Sequence, residues 1–292
     1  MQAVYQGRLF RVLHPMTRSR TLYLLCSCMA LVLNAQAQVS ELGITGGVTY
    51  YIGDLNPYRH YPKYTSPAGG LFYRYNFGNR YALRVQGLYG RLEAYDRNSP
   101  DTLQQIRNLH FRSSLFEGSA LVEVNFFKYR STDKDSKKWT PFLFVGLAYF
   151  RTNPRTRLND TWYDLQPLGT EGQGAGENAS KDPYRLDQVS IPFGAGLKAN
   201  LGRIDIQLEW GLRRTYTDYI DDVSGRYADP AILNPLAAEL ADRSEVDDPE
   251  DRTGTARGDS QTRDWYQYTG LSISVLLTKF TECDALYFRR RR

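Results

Sequence analysis

Few side chains in this sequence are placed to do chemistry. Beyond residue 37 the chain holds two histidines, His60 and His110. His110 lies close in sequence to Ser113 and Ser114, the raw material of a base–nucleophile pair. Along a strand, offsets of three and four residues put those hydroxyls about 10 to 13 Å from the ring. That exceeds the hydrogen-bond reach activation requires. His60 sits in PYRHYPKY, a loop composition, and no GxSxG, HExxH, CxxC or phosphate-binding glycine loop occurs. The run Glu245-Val246-Asp247-Asp248-Pro249-Glu250-Asp251 offers carboxylates to a divalent cation but lacks EF-hand spacing, so it reads as a solvated loop. These patterns predict no catalytic residues, no cofactor and no metal.

The elements that must position these residues follow a period of two. In Ile204–Arg213 every even residue is large and apolar and every odd one is polar or glycine, a sorting that a strand performs and a helix does not. Leu42, Ile44, Val48, Tyr50 and Ile52 share a face in the same way, as do Tyr81, Leu83, Val85 and Tyr89. Five further segments are strand-like: 68–77, 111–127, 141–150, 188–199 and 265–280. Pro192 interrupts one of them and marks either a bulge or a later strand start, since proline cannot donate to a ladder. The connections alternate long and short. Extended loops at 53–67, 93–110, 151–187 and 214–264 are separated by turns near Gly78-Asn79 and 200–203, with a moderate hydrophilic link at 128–140. Strands of about ten residues joined in this rhythm are what a transmembrane barrel needs. The reading is an all-β, eight-stranded antiparallel transmembrane β-barrel of OmpA-like size with long extracellular loops. A soluble β-sandwich, the other option for so aromatic a chain, gives no reason for that order of loops.

Strand parity assigns the interior. With the more apolar face toward lipid, Arg74, Arg84, Lys198 and Arg213 point inward together with Glu117, Glu123, Asp205 and Glu209. An eight-stranded barrel has room for side chains only, so the two signs must pair. This predicts a plugged lumen. Aromatic residues near strand ends (Tyr50, Tyr51, Tyr73, Tyr75, Tyr81, Tyr89, Phe126, Phe127, Tyr149, Phe150, Trp265, Tyr266 and Phe280) are expected to form headgroup-level girdles. Among the loops, GTEGQGAGENAS reads as flexible, and AILNPLAAELAD could form one short helix.

Residues 1–37 read as a signal peptide. Arg8, Arg11, Arg18 and Arg20 precede an apolar stretch, Thr21 to Leu33, and Ala35-Gln36-Ala37 is a small-x-small cleavage site. The stretch is shorter than the roughly 20 residues of a spanning helix. Met16 is an alternative start. Leu25-Cys26-Ser27-Cys28 loosely resembles a lipobox, but the apolar run continues past Cys28, which favours the later site. Without the leader the net charge falls from +5 to near +1, so no nucleic-acid surface is indicated. The expected organisation is a barrel over 38–280 and a tail over 281–292. Cys283 is then the last cysteine, in an oxidising compartment.

Several stretches together resemble one family. ELGITGGVTYYIGDLNP (41–57), GLFYRYNFGNRYALRVQGLYGRL (70–92), FRSSLFEGSALVEVNFFKY (111–129), PFLFVGLAYF (141–150), SIPFGAGLKANL (190–201) and TYTDYIDDVSGRY (215–227) look like the PorG-like outer-membrane barrels of Bacteroidota. The resemblance implies a non-enzymatic component of the type IX secretion system. It also implies periplasmic ring partners, PorK- and PorN-like, beneath the outer membrane. An even strand count returns the chain to the periplasm, where Cys283 and Arg289, Arg290, Arg291 and Arg292 would be available to a partner. The alternatives are an adhesin or receptor barrel working through its outer loops, or an outer-membrane hydrolase of lipid or peptide.

Overall fold

The computed structural model describes residues 39–57, 64–129, 137–174, 182–244 and 252–277. The expected signal peptide, His60, the acidic run 245–251, Phe280, Cys283 and Arg289–Arg292 lie outside these segments.

Among the described residues nine strands form: β1 (Val39–Ile52), β2 (Ser66–Asn76), β3 (Tyr81–Tyr95), β4 (His110–Asn125), β5 (Trp139–Leu158), β6 (Thr161–Asp164), β7 (Asp187–Asn200), β8 (Ile204–Thr215) and β9 (Trp265–Leu276). Eight of them close on themselves. Each pairs antiparallel with its neighbour in chain order, β5 pairs with β7, and β1 pairs with β9 from Glu41↔Leu276 to Ile52↔Trp265. The result is a closed, eight-stranded antiparallel barrel. β6 stands outside the cycle and pairs only with the end of β5.

Alternation along these strands separates two surfaces. Outward positions form a band of exposed Leu, Ile, Val and aromatic side chains, among them Ile44, Leu71, Val85, Leu147, Leu208 and Leu271. Inward positions carry the buried charges, hydroxyls and amides, with apolar fill from residues such as Phe72, Leu121, Phe142 and Phe144. In water this distribution would be inverted; against lipid tails it is the stable one. Aromatic residues edge the band. Tyr89, Phe116 and Tyr149 stand at the loop end, and Tyr81, Phe126, Phe127 and Trp139 at the turn end. The expected girdle is thereby corrected at four positions. Tyr50, Tyr51, Phe150 and Tyr266 are buried: the last three face the interior by strand parity, and Tyr50 accepts a hydrogen bond from Asn56 of the following loop.

Two boundaries also differ from those read in the sequence. β3 runs to Tyr95, past the loop start expected at 93, and β5 runs to Leu158, well into the loop expected from 151. Beyond the apolar band the strands continue as a wall whose outward residues are charged, so they lose the apolar alternation that marks a strand in sequence. β7 starts five residues before Pro192 and contains no bulge there. Its register with β5 is the same on either side, with the ladder open only at Ile191 and Pro192.

The long loops are folded together. α1 (Thr102–Arg107) begins with Asp101 accepting from the Leu103 N–H, and α2 (Pro235–Ala241) with Asn234 accepting from the Ala237 N–H. α2 is the short helix expected within 231–242. Leu55, Leu109, Leu165, Ile220, Val223 and Leu240 from the loops pack on Tyr51, Leu92, Phe111, Leu115, Phe150 and Tyr266 of the strands. This apolar cluster lies across the loop end of the barrel. The segment expected to be flexible is partly buried: Thr170, Glu171 and Gln173 are nearly inaccessible.

Candidate functional site

The lumen is held by one carboxylate more than by any other group. Glu123 of β4 lies opposite Ala82 of β3, whose methyl leaves space beside it. Arg74 and Arg84, register partners on β2 and β3, both reach that space. Arg74 Nε lies 2.8 Å from Glu123 Oε2, and Arg84 Nε 2.9 Å from Oε1. Lys198 Nζ arrives from β7 at 2.5 Å. The pairs extend outward from this hub. Arg74 bridges to Glu41 at 2.9 Å, and Arg84 to Glu209 at 2.5 Å. Nearer the loop end, Glu117 receives Arg213 at 3.2 Å and the Tyr266 hydroxyl at 2.8 Å. At the turn end Asp205 accepts from Tyr129 at 2.9 Å and Asn200 at 2.6 Å. Aromatic faces complete the fill: Lys198 stands 4.4 Å over Phe142, and Arg84 lies between Phe72 and Phe144.

All eight inward charges read from the sequence are buried here. The sequence reading missed Glu41, which is 1 % exposed and also accepts from Asn76 and Ser274. Its parity opposite Leu42 and Ile44 was a sufficient signal. Buried ions are tolerated in such numbers because each is ion-paired or hydrogen-bonded, and removing one partner strands the others.

Above this network the loop segment 215–227 forms the centre of the cap. Ile220 and Val223 enter the apolar cluster, while the aspartates between them turn to polar partners. Tyr51 Oη lies 2.6 Å from Asp221 Oδ2 and 2.7 Å from Asp264 Oδ1. Asp221 also accepts from the Val223 N–H, and Asp264 from the Ile220 N–H. Asp222, at φ +72°, accepts from Thr170 and, at 2.6 Å, from Tyr184. Arg257 ties the same region together, with Nη1 3.2 Å from Glu171 and 2.6 Å from the Asp222 carbonyl. Arg107, paired with Asp96 at 2.7 Å, donates to the Arg257 and Asp54 carbonyls. Burial raises these loop acids. Asp54 and Asp222 are pushed up to about 6 and Asp218 to about 7. Asp221 and Asp264 rise well above the usual carboxylate range, by burial first and then by neighbouring carboxylates.

Among the described residues no group of three or more His, Cys, Asp and Glu is arranged to hold a metal ion. The cap carboxylates are directed at N–H groups, hydroxyls and guanidinium groups instead. His110 gathers no catalytic set either. Its Nδ1 faces Arg243 Nη1 at 3.1 Å, and its Nε2 faces the Arg157 N–H at 3.1 Å and Thr156 Oγ1 at 3.3 Å. Ser113 turns inward, where its hydroxyl accepts from the Asn153 N–H.

The fold resembles three solved outer-membrane barrels at low identity. Ail, the attachment invasion locus protein of Yersinia pestis, solved with the heparin analogue sucrose octasulfate, is 11% identical (TM-score 0.39, 83% of this chain and 100% of that one). Neisserial surface protein A is 7% identical (TM-score 0.39, 82% and 99%). The N-terminal β-barrel domain of Pseudomonas aeruginosa OprF is 12% identical (TM-score 0.31, 80% and 96%). These are likenesses of fold alone. No curated protein sequence matches the chain. A family model described as a domain of unknown function, DUF6089, matches residues 19–233, from ahead of the first strand through β8 and into the cap. The chain is a member of the DUF6089 family.

Proposed function

We propose that this protein is a non-catalytic, non-conducting outer-membrane barrel that anchors or scaffolds the periplasmic ring of a type IX secretion system. The observation that carries the non-conducting part is the Glu123 hub, which fills the bore with Arg74, Arg84 and Lys198 beneath an apolar cap. A barrel closed in this way works through its surfaces. The secretion role rests on the PorG-like stretches of the sequence, and with it come the PorK- and PorN-like partners. In this placement the folded loops face outward and both termini lie in the periplasm. β1 and β9 pair from Glu41↔Leu276, so the described chain enters and leaves the barrel at the turn end. Cys283 and Arg289–Arg292 would then follow on the side of a periplasmic ring, and Cys283 is a candidate for an intermolecular disulfide.

Deletion of the gene followed by comparison of secreted proteins tests the role. Loss of type IX cargo from the medium, restored by the wild-type gene, is expected; a normal secretome removes the secretion role. Non-reducing gels of wild type and Cys283→Ala test the link, and identical band patterns exclude it. A receptor reading is favoured by a separate observation: the loops form an ordered cap rather than loose connections. An extracellular ligand retained by the barrel in the absence of ring proteins would favour it.

A further inference from the structure

The outward faces of β3, β4 and β5 carry two features, one above the other. The lower is a groove of about 700 Å³ in the apolar band. Gly87 and Gly118, register partners, form part of its lining, with open space where a Cβ would be. Leu71, Tyr89, Phe116 and Tyr149 line it as well. The upper is a cleft of about 650 Å³ on the charged wall beyond the band. From Tyr89 at the groove to Tyr95 at the cleft is six residues, about 20 Å along a strand.

Four guanidinium groups line the cleft, Arg97, Arg112, Arg157 and Arg243, with His110 and Trp162. Acidic groups offset only part of that charge. Arg112 pairs with Glu93 at 3.0 Å and rests 4.7 Å over the Trp162 ring. Arg157 pairs with Asp160, which is 92% exposed, and an exposed pair of this kind holds its cation weakly. Arg97 forms no ion pair among the described residues and leans on the Tyr95 ring at 5.1 Å. Arg243 also forms none. Its Nη1 is used by His110, Thr156 and the Arg157 carbonyl, which leaves Nε and Nη2 without a partner among the described residues. His110 adds no negative charge and meets N–H donors at both ring nitrogens. Arg91 is exposed one rung above Tyr89, and Arg151, which lines the groove with Asp187, pairs with that aspartate at 3.6 Å.

Guanidinium forks match phosphate oxygens two at a time, and Arg rather than Lys is suited to that geometry. An apolar groove below a guanidinium-lined cleft, on the same strands, fits an amphiphile with an acyl chain and a phosphorylated sugar head. We propose that this face binds a phosphorylated glycolipid, its head phosphates in the cleft at Arg97, Arg157 and Arg243, its chain along the groove over Gly87 and Gly118. That the lipid belongs to the outer leaflet rests on the outward placement of the loops proposed above; the secretion role is not needed.

The test uses the full-length protein in detergent micelles, with binding measured for rough-type lipopolysaccharide, the same material after phosphatase treatment, and its deacylated water-soluble core oligosaccharide. Tight binding of the intact glycolipid is expected, with a loss of about tenfold or more on removing the phosphates and a similar loss for Arg97→Gln/Arg157→Gln. Both arginines are exposed, so this variant is expected to fold, and heat-modified migration on gels checks it. Arg226→Gln, exposed in the loops outside the cleft, should bind as wild type. Gly87→Leu/Gly118→Leu should weaken the glycolipid severalfold and leave the oligosaccharide unaffected. Unchanged binding by the arginine variant overturns the proposal. Equal affinity for glycolipid and oligosaccharide overturns the lipid source and assigns the cleft to a free phosphosaccharide. Protease accessibility of the loops on intact cells separately tests the placement.

Discussion

The Tyr51 hydroxyl lies within hydrogen-bond distance of two carboxylates at once, 2.6 Å from Asp221 and 2.7 Å from Asp264. A phenol has one proton to donate. When it donates to one aspartate, the other must carry a proton of its own to complete the second bond, so strand β1 and the last loop share two protons among three oxygens. Tyr51→Phe removes the bridge and leaves two buried carboxyl groups facing an apolar ring. A loss of about 1–3 kcal/mol is expected, concentrated in the cap. Faster proteolysis between residues 215 and 264, with the strands still resistant, would show it.

The cap should loosen as pH rises. Asp54 and Asp222, near 6, and Asp218, near 7, bind protons more tightly in the folded loops than in an unfolded chain. Their contribution is therefore fully present below about pH 4, the unfolded carboxylate range, and is lost as pH rises through 6 and 7. Asp221 and Asp264 extend the same trend upward. Hydrogen exchange of residues 216–227, corrected for intrinsic rates, should be slower at pH 5 than at pH 8. The opposite order would show that the ion pairs with Arg257 dominate the cap.

Glu123→Gln should damage the barrel itself. Three cations converge on this carboxylate at 0 % exposure, and an amide leaves them buried without a counter-charge. The expected cost is about 3–5 kcal/mol, read as a lower urea midpoint in micelles. A loss under 1 kcal/mol would mean that Glu41 and Glu209 take over the arginines.

Gly46 and Gly47 should differ in their tolerance of alanine. A Cβ at Gly47 would lie 2.1 Å from the Thr269 carbonyl oxygen of β9, whereas one at Gly46 meets nothing within 4 Å. Gly47→Ala forces the β1–β9 seam apart and should cost about 1–3 kcal/mol. Gly46→Ala, on the lipid side, should fold as wild type. Equal refolding yields would show that the seam can yield.

In planar bilayers the refolded protein should give no stable open-channel current. Discrete long-lived steps would contradict a bore filled by Arg74, Arg84, Lys198 and their carboxylates.

The band of outward Leu, Ile and Val and the polarity of the inward face were legible in the sequence, because in a strand parity alone decides which side a residue faces. That is why Arg84, Glu123 and Lys198 were identifiable as interior charges from one chain. The partners were not. Arg84 and Glu209 are 125 positions apart, and only closure of the sheet through β1 and β9 fixes which inward residues meet. The cap was less legible still. TYTDYIDDVSGRY has neither helical nor strand periodicity, and its Ile220 and Val223 become core only because Leu55, Leu109 and Leu240 arrive from other loops. The charged wall at the ends of β3 and β5 was hidden for a related reason, since its outward residues meet solvent and lose the apolar alternation.

The sequence by itself determined a membrane-type barrel with a charged interior, through a periodicity that each strand carries locally. Tertiary structure alone decided that Glu123 is the hub, that Tyr51 joins two distant aspartates, and that four arginines from separate loops and strands share a cleft. Those relations depend on strand register and loop packing, which bring together residues whose separation along the chain records nothing of their separation in space.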